Sequence, residues 1–169
     1  MKPLAHVAFA LVLGALQAAF LRHVGGGAFS LALLAACVVH LGLQAPGVEG
    51  AVSAAGIGYV LDLLQGTPKG LMTFLCVLLF VVVRATCSTV EVRGRIGFAV
   101  ATFAGAVFLS LGAVVMLRWV TPIEAAPGLT LVPRMLLEAF LTAIAAPLVR
   151  EGMRRIDRLF TREEPGLLR

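Results

Sequence analysis

The segment Gly56-Ile57-Gly58-Tyr59-Val60-Leu61-Asp62-Leu63-Leu64-Gln65-Gly66-Thr67-Pro68-Lys69-Gly70-Leu71 decides how the chain is organised. It closes one apolar stretch, turns through Gly66, Pro68 and Gly70, and opens another at Leu71. Its first half belongs to residues 48–64, the most ambiguous apolar run in the chain, rich in Gly and Ala and carrying Glu49 and Asp62. A full crossing there gives six spans. A half-inserted segment would instead place the two chain ends on opposite sides. The basic residues choose between the two. With six spans, Lys2, Arg84, Arg93, Arg95, Arg150, Arg154, Arg155, Arg158, Arg162 and Arg169 share one side, and Arg22, Lys69, Arg118 and Arg134 lie on the other. Ten against four of the 14 basic residues follows the positive-inside rule with both termini in the cytoplasm.

Outward from this segment, five more apolar stretches cover residues 4–21, 28–44, 71–85, 96–120 and 131–149. Gly25-Gly26-Gly27 and Ala45-Pro46-Gly47 separate the first three, and polar stretches at 86–95 and 121–130 flank the fifth. These are loop signals at the expected places. Four of the links are short enough to make consecutive helices antiparallel neighbours. The run 4–21 after Lys2 is longer than the apolar core of a signal peptide and reads as an uncleaved first span.

Composition supports the same class. Of 169 residues, 60% are apolar and 14% charged, against about a quarter charged in soluble domains. Mean hydropathy is +0.99. A soluble globule this small could not cover its surface. Six spans of about 20 residues use roughly 120 of the chain, which leaves no room for an extramembrane catalytic or ligand-binding domain. The expected fold is all-α: a polytopic six-helix transmembrane bundle over 1–149, followed by a basic amphipathic cytoplasmic tail over 150–169. The net charge of +5 then reflects topology. Six basic residues lie in the last twenty positions, and no aromatic-interleaved basic groove suggests nucleic acid.

Few residues carry candidate chemistry. Asp62 sits near the outer end of its span, where an acid is costly. It reads as a structural anchor that caps or pairs by the loop, with Lys69 and Arg134 as candidate counter-charges. Arg134 and Glu138, i and i+4 in the last span, read as a mutually neutralised intramembrane pair. His6 and His40 fall near the cytoplasmic side of adjacent helices. Hydrogen bonding between helices is expected of them, not a metal site, because three or four convergent ligands are not evident. Cys37, Cys76 and Cys87 form no CxxC pair and read as small buried thiols. Hydrolase, metalloprotease and dinucleotide signatures are missing, so neither catalysis nor a cofactor is expected. Small residues at close-packing spacing, such as Ala54 with Gly58 and Gly105 with Gly112, suit tight helix contacts. In the tail, Val149, Met153, Ile156 and Phe160 form one stripe, with Arg150, Arg154, Arg155 and Arg158 on other faces. This pattern reads as a helix along the lipid headgroups.

The central segment resembles the core of the MreD family of bacterial rod-shape-determining membrane proteins. Gly58, Asp62, Gly66, Pro68, Gly70 and Leu71 carry the likeness, followed by an apolar span that ends in Arg84. Lys69 departs from the apolar residue usual at that position. The likeness is specific over residues 56–84 and general elsewhere. It implies a non-enzymatic inner-membrane scaffold of the elongasome, supporting cell shape and lateral peptidoglycan synthesis. MreC would be its direct partner, with RodA, a class B transpeptidase and MreB nearby. It also implies a fold similar to the substrate-binding subunits of energy-coupling-factor transporters. A vitamin-binding subunit of such a transporter is the alternative function. It would need a polar, aromatic-lined outer pocket, whereas this chain has one Trp and one Tyr. A proton-coupled carrier would rest on Asp62 and Glu138 alone.

Overall fold

The computed structural model describes residues 2–23, 32–65, 68–87, 94–120 and 132–161. Gly66 of the motif, the glycines at 25–27, the links 88–93 and 121–131 and the tail beyond residue 161 lie outside the described residues. The fold is all-α, with six helices: α1 (Lys2–His23), α2 (Leu33–Gln44), α3 (Gly47–Gln65), α4 (Leu71–Cys87), α5 (Gly94–Val120) and α6 (Val132–Thr161). Three are long and apolar enough to cross a membrane, over Gly47–Gln65, Gly94–Trp119 and Val132–Arg158. Shorter apolar helices occupy Pro3–Ala19, Leu33–Gln44 and Leu71–Thr86. These helices mark the chain as a membrane protein. The ambiguous stretch at 48–64 is among the three long ones.

Proline and glycine set the helix boundaries. Ala45 is extended (φ −81°, ψ 148°), because the Pro46 ring bars the helical region to the residue before it. That stops α2, and α3 starts at Gly47. Gly70 adopts φ +95° immediately before α4, a conformation that is strained in residues with a Cβ. Pro147 lies inside α6 without ending it. Proline is tolerated in membrane helices where surrounding groups satisfy the carbonyl it frees.

The twelve residues of α2 span about 18 Å, well short of a hydrocarbon core of about 30 Å. Its position explains this. Residues 34–42 are all buried, so α2 is surrounded by protein on every face, as expected of a helix apolar all round. The outer helices show the reverse pattern. Leu11, Leu16, Val100, Ile144 and Leu148 are all more than half exposed, an apolar exterior suited to lipid. Mid-helix hydroxyls are satisfied locally: Ser53 Oγ donates to Glu49 O, and Thr102 Oγ1 to Phe98 O.

Cross-helix contacts fix the two ends of the bundle. Arg84 Nη1 donates to Ala45 O at 2.7 Å, and Arg150 Nη1 to Gly94 O at 2.8 Å. The start of α3 therefore lies with the ends of α2 and α4, and the start of α5 with the Arg150 turn of α6. At the other end Thr142, fully buried in α6, accepts from the Ala32 N–H at 3.1 Å and donates to Glu138 O at 2.7 Å. It thereby anchors the start of α2.

Candidate functional site

The decisive segment forms a joint between α3 and α4. The first amides of a helix have no partner within it, and Asp62 supplies one. Its Oδ1 accepts from Met72 N at 2.9 Å. Its Oδ2 accepts from Gly70 N at 3.0 Å, Thr73 N at 3.2 Å and Thr73 Oγ1 at 2.8 Å. Asp62 is 4% exposed, so a carboxylate from the preceding helix acts as the buried cap of α4. A Cβ added at Gly58, one turn earlier, would lie 2.5 Å from Thr73 Cα and 2.8 Å from Met72 O. The two backbones touch there, and only glycine fits. Gly58 thus sets the distance at which Asp62 reaches the amides of the next helix. Pro68 and Gly70 shape the turn between them, and Leu71 N closes it by donating to Pro68 O at 3.2 Å.

Farther along this end, Arg134 Nε lies 3.3 Å from Glu138 Oε1. The carboxylate side chain is 12% exposed and the guanidinium side chain 41%, so the pair straddles the edge of the bundle. Glu138 also lines a cavity of about 250 Å³ among α2, α3, α4, α5 and α6, with Gln65, Ser110, Met72, Leu109 and Met135.

The opposite end holds a cluster that sequence reasoning missed in part. His6 Nε2 lies 2.9 Å from Asp157 Oδ1, and His40 Nε2 lies 3.1 Å from Asp157 Oδ2. A carboxylate only accepts, which assigns the proton to Nε2 of both rings. One acid therefore ties α1, α2 and α6 together. Beside it lies a polar cavity of about 170 Å³ lined also by Gln44, Glu49 and Ser53. Buried His40 Nδ1 has no hydrogen-bond partner among the described residues. No group of three or more His, Cys, Asp or Glu among the described residues is placed to hold a metal.

In the sequence alone Asp157 is one acid among the arginines of the tail. The available signal was its register: it lies one turn beyond Met153 on the face that begins at Val149. That face points into the bundle, with Val149 4% and Met153 0% exposed. A Cβ on neighbouring Gly152 would lie 2.7 Å from the Phe9 ring of α1. Helix α6 continues unbroken to Thr161, and Gly152, Met153 and Asp157 in this part of the tail face the bundle. Val149 and Met153, two of the four stripe residues, therefore face protein.

Asp157→Ala is expected to cost about 2–4 kcal/mol, because two buried N–H donors each lose their acceptor at about 1–3 kcal/mol. Thermal unfolding of the detergent-solubilised protein checks this. An unchanged midpoint would show that the bridge contributes nothing.

Arg150, Arg154 and Arg155 lie along a cleft between α5 and α6, with Arg95 on its far wall. Arg158 does not line it and is exposed on the same helix.

No protein-family model matches this chain, and no curated protein or solved structure matches it either.

Proposed function

We propose that the chain is a non-enzymatic membrane scaffold of the bacterial wall-elongation machinery. In this reading it is an MreD-like protein that crosses the inner membrane six times, keeps both termini in the cytoplasm and binds MreC. RodA, a class B transpeptidase and MreB would be reached through the assembly. The observation that carries the reading is the joint at Asp62. The described residues that resemble the family motif are the ones this joint needs. Gly58 permits backbone contact, Asp62 caps the next helix, Pro68 and Gly70 shape the turn, and Leu71 opens α4. Such a motif serves architecture, and its acid is engaged by backbone amides.

Six crossings belong to the same proposal. Helices α1, α2 and α4 have shorter apolar runs. Short spans are accommodated by local thinning of the bilayer, and α2, sheathed by protein, need not match the lipid at all. The vitamin-transporter alternative is weakened by the cavity beside Glu138. At about 250 Å³ it falls below the roughly 300 Å³ floor of common ligand pockets. Among the described residues its lining side chains are mainly aliphatic and include no aromatic ring.

Depletion in a rod-shaped host is expected to give rounded cells, and MreC is expected to co-purify with the tagged protein. Unchanged rod shape on depletion, together with stoichiometric binding of a vitamin by the purified protein, would overturn the proposal. A C-terminal reporter active only outside the cytoplasm should stay silent.

A further inference from the structure

We propose that the cleft between the start of α5 and the end of α6 binds the phosphate headgroup of an anionic membrane lipid. The site rests on the topology above only for the leaflet it faces. The cleft holds about 530 Å³ and is lined by Arg95, Phe98, Pro147, Leu148, Arg150, Glu151, Arg154 and Arg155. That volume lies within the range of about 300–1,000 Å³ of built ligand sites. Four guanidinium groups face one carboxylate, and the carboxylate is partly engaged: Glu151 Oε1 lies 3.7 Å from Arg155 Nε. The cleft therefore keeps a net positive charge.

Arg150 is the preorganised member. One of its nitrogens donates to Gly94 O at 2.8 Å, and its Cζ sits 5.0 Å from the centre of the Phe98 ring. These two contacts fix the plane of the guanidinium. Its Nε is buried and has no hydrogen-bond partner among the described residues. A buried charged donor without an acceptor is costly, and a phosphate oxygen is the acceptor a guanidinium fits best. Arg154, one turn on, is a like charge at i+4, which destabilises the empty site. A bound anion would relieve both penalties. The start of α5, where Arg95 and Phe98 line the cleft, adds the positive end of a helix.

The source of the phosphate follows from what adjoins the cleft. Below Leu148, which lines it, Leu137, Phe140, Leu141 and Ile144 continue along one face of α6. All five are between 38% and 79% exposed. An apolar track leading from a cationic cleft suits a molecule with a phosphate at one end and acyl chains at the other. Basic pockets between membrane helices commonly hold such headgroups. A soluble phosphate would have no use for the track.

The test uses the full-length protein, delipidated in detergent and titrated with cardiolipin under native mass spectrometry. One saturable cardiolipin per chain is expected. Arg150→Gln should weaken it about tenfold, the loss of one charge-assisted hydrogen bond. Arg95→Gln should weaken it about fivefold with an unchanged thermal midpoint, from removal of one basic group at the surface. It serves as the deciding variant if Arg150→Gln misfolds. Arg158→Gln removes the same charge from a side chain that does not line the cleft and should weaken binding less than Arg95→Gln does, by about twofold, because it acts only through space. Equal losses at 158 and 95, or binding that never saturates, would reduce the cleft to general surface attraction and overturn the proposal. Displacement of cardiolipin by equimolar inorganic phosphate would overturn the lipid assignment in favour of a soluble anion. None of these readouts involves MreC or cell shape, so this site and the scaffold reading can fail separately.

Discussion

Gly58→Ala is expected to destabilise the protein by about 3 kcal/mol, at the upper end of what an added methyl costs in a packed interior. The reason lies in what the methyl would meet. At 2.5 Å from Thr73 Cα and 2.8 Å from Met72 O, it collides with backbone, which cannot rotate away. Relief requires α4 to move off α3, and that movement draws the Met72 and Thr73 amides away from Asp62. Gly14→Ala is the matched control. Its methyl would lie 2.7 Å from Leu64 Cδ1, the far end of a flexible side chain that is 48% exposed and can turn aside. The distance is nearly as short, yet the expected cost is smaller. Thermal midpoints of the two variants in the same detergent compare them directly. Equal midpoints would mean that α3 and α4 have slack at their crossing, and the account of the joint would be wrong.

Asp62→Ala is expected to cost about 3–4 kcal/mol. It strips the acceptor from three amides and one hydroxyl, of which the innermost donors cannot all find water, at about 1–3 kcal/mol for each one left buried. Asp62→Asn keeps one acceptor oxygen and should lose roughly half as much. The double variant Gly58→Ala/Asp62→Ala should fall short of the sum of the singles, because both release the same helix start. Full additivity would separate the cap from the contact. Faster hydrogen exchange confined to the first turn of α4 is the local sign to seek.

The elements of this bundle were legible in the sequence to a degree that varied with the chemistry of their ends. The apolar stretch at 71–85 and helix α4, Leu71–Cys87, begin at the same residue because Gly70 marks the boundary without ambiguity. The apolar stretch at 131–149 is part of a helix that continues to Thr161. Hydropathy falls at Arg150 while the helical register does not, so the continuation is legible only in the stripe of Val149, Met153, Ile156 and Phe160. Asp62 was legible as an anchor because an acid stands out in an apolar span. Its particular partners were not, since they are backbone amides with no sequence signature. Asp157 was the least legible, because an acid among arginines looks like charge balance. Its partner His6 lies 151 residues away, a pairing that only the folded arrangement brings together.

That separation bears on the order in which the molecule can be made. Synthesis delivers His6 well before Asp157, and early segments generally organise before later ones emerge. The two histidines must therefore wait, their donors unmatched, until residue 157 has been made. A polypeptide arrested before that point would lack the acceptor that ties α1 and α2 to α6. The first helix is thus fastened by a part of α6 made 151 residues later.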